Sequence, residues 1–385
     1  MRVLITSTPG RGHIGPLVPV ASALRNAGHE VQWATAAEAC GTVAGLGFAV
    51  VPAGLDVAQR RAAVADRLPG IMALPPRERR GLLFAGFFGL AAAPAMAADV
   101  RPLVESFRPD LIVHEMAELG IVPIAVERGI PHVVVAFSGP PTSHSLPTIT
   151  AELSAWWASL DLDLPQHGGL SGDLYLHPFP ASLHADPPWP FDRLRPETVE
   201  SAPPVEPPSW LTSFGSTRPA VYVTFGTERA ASDAPWPALL EAIGDRELDA
   251  LVTTGAHADV ETFGPLPHNV RVERYVPQRQ VLGLVSVVVS HAGAGTMLGA
   301  ASAGVPQIVV PIFADQWDNA DAIFSAGAAI LCETVDRTAT SLGSALDRIL
   351  ADDRCRTAAA SVAREMSHMP TAADYVPKLE AMAGI

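Results

Sequence analysis

The chain alternates short, continuous apolar runs with longer stretches whose apolar residues recur every three to four positions. Arg2–Thr6, Glu30–Thr35, Phe48–Pro52, Leu111–His114 and His132–Ala136 are runs of the first kind and read as strands. Between them, Pro16–Ala27 reads as a helix with Leu17, Val20, Ala21 and Leu24 on one face and Gly28 as its stop; Gly120–Arg128 reads as another. Strands that are apolar throughout and separated by helices belong to a parallel sheet covered on both faces. The rhythm lapses over residues 140–177, where only Ser154–Leu160 reads as a short helix. Residues 178–219 then hold 11 prolines in 42 positions, the composition of an extended linker. Beyond it, strands are expected at Ala220–Phe225, Leu251–Thr254, Val270–Glu273, Val285–Ser290, Gln307–Pro311 and Ala328–Leu331. Helices are expected at Trp236–Ile243, Gln278–Leu284, Thr296–Ala303, Asn319–Ala326, Ser341–Ala351, Arg354–Met366 and Ala372–Met382. The pattern predicts an α/β chain with two doubly wound domains, 1–200 and 219–368, a proline-rich linker at 201–218 and a terminal helical segment at 369–385.

One run stands outside this rhythm. Gly81–Ala98 carries no charge over 18 residues, the lower limit for a membrane span, but holds three glycines and Pro94. It reads as a buried helix or as the wall of an apolar cleft. The length of 385 residues, 48% hydrophobic and 17% charged, supports two or three sizeable cores. A net charge of -14 argues against nucleic acid and anionic membrane surfaces as partners. Cys40, Cys332 and Cys355 show no metal-binding or redox spacing, and Met1–Ser7 reads as a strand, not a signal peptide. Both point to a reducing, cytoplasmic setting and no structural metal.

The candidate chemistry lies at the ends of strands, where doubly wound folds bind ligands. Val287–Pro311 reads as strand, glycine loop, helix, strand. The turn His291-Ala-Gly-Ala-Gly295 leads into a helix whose free N–H groups and positive dipole end suit a phosphate, and His291 adds a side-chain donor. Thr224-Phe-Gly-Thr227 ends a strand in small residues, so Gly226 and Thr227 could approach a phosphate or simply form a turn. Tyr275-Val-Pro-Gln278 could present extended backbone to a base edge. Asp315 and Gln316 suit sugar hydroxyls, although as an N-cap cluster they would need no ligand. In the first half, Gly10-Arg-Gly-His-Ile-Gly15 matches the dinucleotide fingerprint, but the second strand ends in Ala34-Thr35 without the acid that would hold a ribose. His13, at a strand end before a helix, could act as a general base or cap a backbone group. Glu115 closes a strand on the same sheet edge and could orient it, or be a solvated loop carboxylate.

Together, His291-Ala-Gly-Ala-Gly-Thr296, Tyr275-Val-Pro-Gln278, Ala303-Gly-Val-Pro306 and Asp315-Gln316 resemble the nucleotide-sugar glycosyltransferases of the GT-B fold. The nearer likeness is to the bacterial natural-product branch of glycosyltransferase family 1, which decorates macrolides, enediynes and aromatic polyketides. Gly10–Pro19 and Met369–Glu380 resemble that branch as well. The resemblance implies two Rossmann-like domains facing across a cleft, the acceptor on the first and the donor on the second, with the last helix crossing back to the first. It implies His13 as the base and Glu115 as its acidic partner, where relatives usually carry an aspartate one methylene shorter. It implies His291, Gly293, Ala294, Gly295 and Thr296 as the diphosphate loop, with Gly226 and Thr227 facing it. Tyr275, Val276 and Gln278 would meet base and ribose, Asp315 and Gln316 the sugar. The donor implied is a TDP-sugar, with a UDP-sugar as the other candidate, and no cofactor or metal. The acceptor implied is a hydrophobic aglycone; Met72, Leu82, Leu83, Phe84, Phe87, Phe88 and Leu90 lie where the family builds its acceptor pocket, or are ordinary core. A homodimer stays open. The expected reaction is an inverting, metal-independent transfer of a sugar, with an NAD-dependent oxidoreductase, a catalytically silent nucleotide-binding protein and a sugar-nucleotide epimerase as rivals.

Overall fold

The computed structural model describes all residues but 68–69, 75, 142–144, 198–205, 227–232, 256–262 and 264, and describes no side chains at 66–67, 72 and 76–78. Contacts divide the chain into two units. One comprises Met1–Pro178, Asp186–Pro203 and Pro370–Ile385; the other comprises Phe179–Ala185 and Pro204–Met369.

The first unit is built on seven parallel strands: β1 (Arg2–Thr6), β2 (Glu30–Thr35), β3 (Ala49–Pro52), β4 (Leu111–Glu115), β5 (His132–Val135), β6 (Leu174–His177) and β7 (Asp192–Arg193). Their order is β3-β2-β1-β4-β5-β6-β7. Successive residues of β1 serve opposite faces, as the pleat requires. Val3 and Ile5 pack with Leu17, Leu24, Tyr375 and Leu379 on one side, while Leu4 packs with Met96, Ile112, Leu153 and Trp157 on the other. The helix Leu17–Asn26 buries Leu17, Val20, Ala21 and Leu24, the face that the spacing predicts. The terminal helix Ala372–Met382 belongs to this unit. Thr371 and Asp374 close its start as a capping box, and Tyr375 donates to the Arg193 carbonyl at 2.8 Å.

Three differences from the sequence reading concern this unit. The loop at Thr8–Gly15 contains a short helix, Arg11–Ile14. The stretch 140–177 is more regular than expected: a helix spans Leu146–Ala158, and β6 follows. The apolar run 81–98 lies within one long helix, Arg79–Phe107, the one helix among the described residues long and apolar enough to cross a membrane. Its turns Ala85–Ala92 are π-helical, and Ala85, Ala91, Ala92 and Ala93 are buried in the unit.

The second unit has six parallel strands: β8 (Ala220–Thr224), β9 (Asp249–Thr253), β10 (Val270–Glu273), β11 (Val287–Ser290), β12 (Gln307–Val309) and β13 (Ala329–Leu331), ordered β10-β9-β8-β11-β12-β13. The proline-rich stretch 178–219 does not act as one linker. Asp186–Pro203 carries β7 and stays with the first unit, whereas Phe179–Ala185 packs into the second. Phe179 and Leu183, each 1% exposed, join Met297, Leu298, Ile323 and Met366 in an apolar cluster. Burial of two such side chains contributes about 1.5–3 kcal/mol each. The Glu365 carboxylate fixes the backbone there, accepting from the Ala181 N–H at 2.6 Å.

Candidate active site

Both sheets reverse their strand order between the first and fourth strands of the unit: β1 and β4 in one, β8 and β11 in the other. At such a reversal the loops leaving adjacent strands run to opposite faces of the sheet and open a crevice. His13, Glu115, Gly226 and His291 fall at these two places because they lie at or after the carboxyl ends of β1, β4, β8 and β11, whereas Tyr275–Gln278 follows β10 and Asp315–Gln316 follows β12.

In the first unit, β1 leads into Ser7–His13 and β4 ends on Glu115. Glu115 is fully buried and accepts from Thr8 and Ala117. The Thr8 hydroxyl donates to Oε1 at 2.8 Å, the Thr8 N–H to the same atom at 3.2 Å, and the Ala117 N–H to Oε2 at 2.5 Å. His13 Nδ1 lies 3.1 Å from Oε1. Burial pushes the Glu115 carboxyl up, but the His13 charge and hydrogen bond, the Ala117 N–H and Thr8 outweigh it and leave it below the ordinary carboxylate value. An ionised carboxylate accepts only, so the His13 Nδ1 that faces it carries a hydrogen, and the Nε2 edge is the one turned away from Glu115. The glutamate thus spans the extra methylene and still meets the imidazole. The ring lies between Phe137, at 4.5 Å edge-on, and Phe88, at 5.5 Å, and is 20% exposed. The described side chains among the expected acceptor-pocket residues (Leu82, Leu83, Phe84, Phe87, Phe88 and Leu90) are half-buried; that of Met72 lies outside the described residues.

Sequence reasoning missed Glu118. It is 1% exposed, bonded to the Thr6 hydroxyl and to the Gly120 N–H at 2.7 Å, and it lines a small cavity with Thr8, Pro9, Phe88, Met96 and Ala117. Burial raises its carboxyl to about 7, so two glutamates three residues apart are driven in opposite directions. The unfolded chain releases the Glu118 proton near pH 4.5, the folded protein near 7. Over that window the folded state binds more protons, so stability falls as pH rises and remains lower above 7. Glu118→Gln removes this loss. Relative to the parent, the variant gains several degrees in Tm between pH 5 and pH 8; a difference independent of pH would place this carboxyl at its ordinary value.

In the second unit, Gly226 follows β8 and His291 follows β11; Ser290 and Thr224 are register partners. Gly226 has φ 76°, and a Cβ there would lie 3.0 Å from His291 Cε1. Thr227 lies outside the described residues. Gly293 is the N-cap of the helix Ala294–Ser302, which begins two residues earlier than the pattern suggests and brings Ala294 and Gly295 into its first turn. No side chain caps this helix. Its first hydrogen bond runs from the Met297 N–H to the Gly293 carbonyl, so the N–H groups of Ala294, Gly295 and Thr296 have no partner within the helix. His291 is 9% exposed, and burial lowers its imidazole to about 4 against the charge of Asp315 and a backbone bond at Thr224. It is a neutral donor near pH 7, beside a helix end that supplies a dipole.

Of the remaining candidates, Gln278 meets this loop directly. Gln278 Nε2 donates to the Thr296 hydroxyl at 2.9 Å, although they belong to different helices. Val276 is buried in an apolar cluster, which leaves only its backbone for a ligand, whereas Tyr275 is 46% exposed. Gln316 is 4% exposed, and its Oε1 accepts from the Ile312 and Phe313 N–H groups at 2.8 and 3.0 Å, fixing the loop after β12. Asp315 occupies an N-cap position but caps no backbone N–H; its carboxylate accepts from Asn319 Nδ2 at 2.9 Å. Asn319 is a second residue that the sequence reading passed over. Among the described residues no three His, Cys, Asp or Glu side chains are grouped to hold a metal ion. The dinucleotide reading fails at β2: its last residue, Thr35, is buried and accepts from the Ser7 hydroxyl at 3.2 Å, where a ribose-binding acid would stand.

Comparison with known proteins bears on the family and the fold. Residues 238–382 match the family model of the erythromycin biosynthesis protein CIII-like C-terminal domain. The chain is 33% identical to L-demethylnoviosyl transferase of Streptomyces niveus over 383 residues, covering 97% of this chain and 96% of that protein. Among solved structures, the glycosyltransferase SsfS6 of Streptomyces sp. SF2575, complexed with thymidine diphosphate, superposes with a TM-score of 0.79 at 26% identity, with 99% of each chain covered. The glycosyltransferase VinC in complex with dTDP gives 0.81 at 25% identity over the whole of both chains. An identity of one third along nearly the full length, with two Rossmann-like sheets in the same order, places this chain in the bacterial natural-product branch of the GT-B, nucleotide-sugar-dependent glycosyltransferases of family 1.

Proposed function

We propose that this glycosyltransferase moves a deoxysugar from a TDP-sugar to a hydrophobic natural-product aglycone in antibiotic or other secondary-metabolite biosynthesis, with inversion and without a metal ion. The observation that carries the reading is the pairing of two strand-end sites of different chemistry. One is a buried carboxylate holding the Nδ1 side of a histidine that is 20% exposed; the other is a neutral histidine beside an uncapped helix start. The first suits removal of a proton, the second acceptance of a diphosphate.

In this mechanism, His13 Nε2 takes the proton from the acceptor nucleophile, and Glu115 stabilises the imidazolium formed. The nucleophile bonds to the anomeric carbon as the bond to the diphosphate oxygen breaks, and the electron pair leaves on the nucleotide. His291 and the N–H groups at the start of Ala294–Ser302 donate to the charge that builds there, which replaces a metal counter-ion. A single displacement inverts the anomeric centre. Gln278 and the Tyr275–Val276 backbone take the nucleoside, Asp315 and Gln316 the sugar. Thymidine diphosphate is the nucleotide in the SsfS6 and VinC structures, which supports TDP over UDP here. The apolar, half-buried side chains around Phe88 support a hydrophobic acceptor. Turnover measured with a TDP-sugar in excess EDTA should equal that in Mg²⁺; activity that appears only on adding a divalent cation would overturn the metal-free step.

A further inference from the structure

Asn319 joins two parts of the donor site, Ala292 and Asp315, that lie 23 positions apart in the sequence. It is fully buried on the helix Gln316–Ser325, and its Nδ2 has two hydrogens to give. One goes to the carbonyl of Ala292 at 3.1 Å, the other to Asp315 Oδ2 at 2.9 Å. Ala292 lies between His291 and Gly293 and is itself buried, with φ at 59°. This left-handed conformation is unfavourable for an alanine and persists only when its surroundings hold it. The Ala292 N–H is held by the Ser290 hydroxyl at 3.1 Å, and its carbonyl by Asn319. The bend at Ala292 sets the direction in which His291 and the helix start at Gly293 point. The second bond turns the Asp315 carboxylate, which otherwise would be free to cap its own helix.

We propose that Asn319 is a positioning residue for the donor: by clamping the Ala292 carbonyl and the Asp315 carboxylate with one amide, it sets the diphosphate loop and the sugar-facing acid in a single geometry. This rests on the reading of the loop as the diphosphate site. Asn319 touches no donor atom in this scheme and acts through Ala292 and Asp315.

The test is calorimetric titration of TDP, with donor and acceptor KM measured separately. Asn319→Ala should weaken TDP binding at least tenfold and raise the donor KM by more than that, while the acceptor KM stays unchanged. Adding Ala292→Gly to Asn319→Ala removes the conformational cost and should restore most of the TDP affinity, but not the part of the donor KM that depends on Asp315. Asn319→Ser carries the same expectations should the alanine variant not fold. TDP affinity equal to the parent's in a folded Asn319 variant, or a loss that Ala292→Gly does not relieve, overturns the proposal. Failure of the parent protein itself to bind TDP would instead remove the diphosphate reading on which it rests.

Discussion

His13→Ala should lower kcat by a factor of the order of 10² or more, with the KM for the donor little changed. General base catalysis contributes about 10²–10⁴-fold when the acceptor must lose a proton in the transition state. Glu115→Gln should cost a comparable factor for a different reason. An amide in place of the carboxylate no longer fixes the proton on Nδ1 or stabilises the imidazolium, although the ring keeps its seat between Phe88 and Phe137. The two losses should not add, because each disables the same pair. The double variant should therefore resemble His13→Ala alone. Steady-state kinetics on the three variants measures this directly; full additivity would separate Glu115 from the function of His13.

The second large effect concerns the donor loop. At Gly293 the backbone angles, φ −59° and ψ 134°, suit any residue, so the reason for glycine is space. An added Cβ would lie 2.4 Å from His291 Nε2, closer than real atoms approach. Gly293→Ala must displace the buried imidazole or the helix start. Losing one charge-assisted hydrogen bond costs about 1.5–3 kcal/mol, which predicts TDP binding weakened roughly 10–100-fold. At Gly295, two positions further along the same turn, an added Cβ meets nothing within 4 Å. Gly295→Ala should leave Tm at or above the parent value. Equal TDP affinity for Gly293→Ala and the parent would remove His291 from the diphosphate site.

The strands and most helices were legible because a buried parallel strand is apolar throughout and a half-buried helix repeats every 3.6 residues. Knowing the strands fixed the edge on which His13, Glu115, His291 and Asp315 stand, and a strand-end position needs no side-chain detail. What was not legible depended on contacts across the fold. Glu118 looks like any loop acid in sequence; only the walls around it, and Thr6 and Gly120 as partners, distinguish it from Glu115. β7 lies inside a proline-rich stretch whose composition suggested a linker, with β6 just before it, and nothing local reveals that Phe179 and Leu183 fill an apolar cluster of the second unit. Asn319 is unremarkable on a polar helix start until its amide meets a carbonyl 27 residues away in sequence. The left-handed alanine at 292 has no signal of its own, because alanine rarely adopts that conformation.

The measurement that bears most directly on the central claim is the anomeric configuration, by proton NMR, of the glycoside formed when this protein is given a TDP-deoxysugar of known anomer and a polyketide or macrolide aglycone in EDTA. A single displacement gives a glycoside of the opposite configuration to the donor, with one TDP released for each sugar transferred. A product that retains the donor configuration, or the absence of any metal-free transfer, would contradict it.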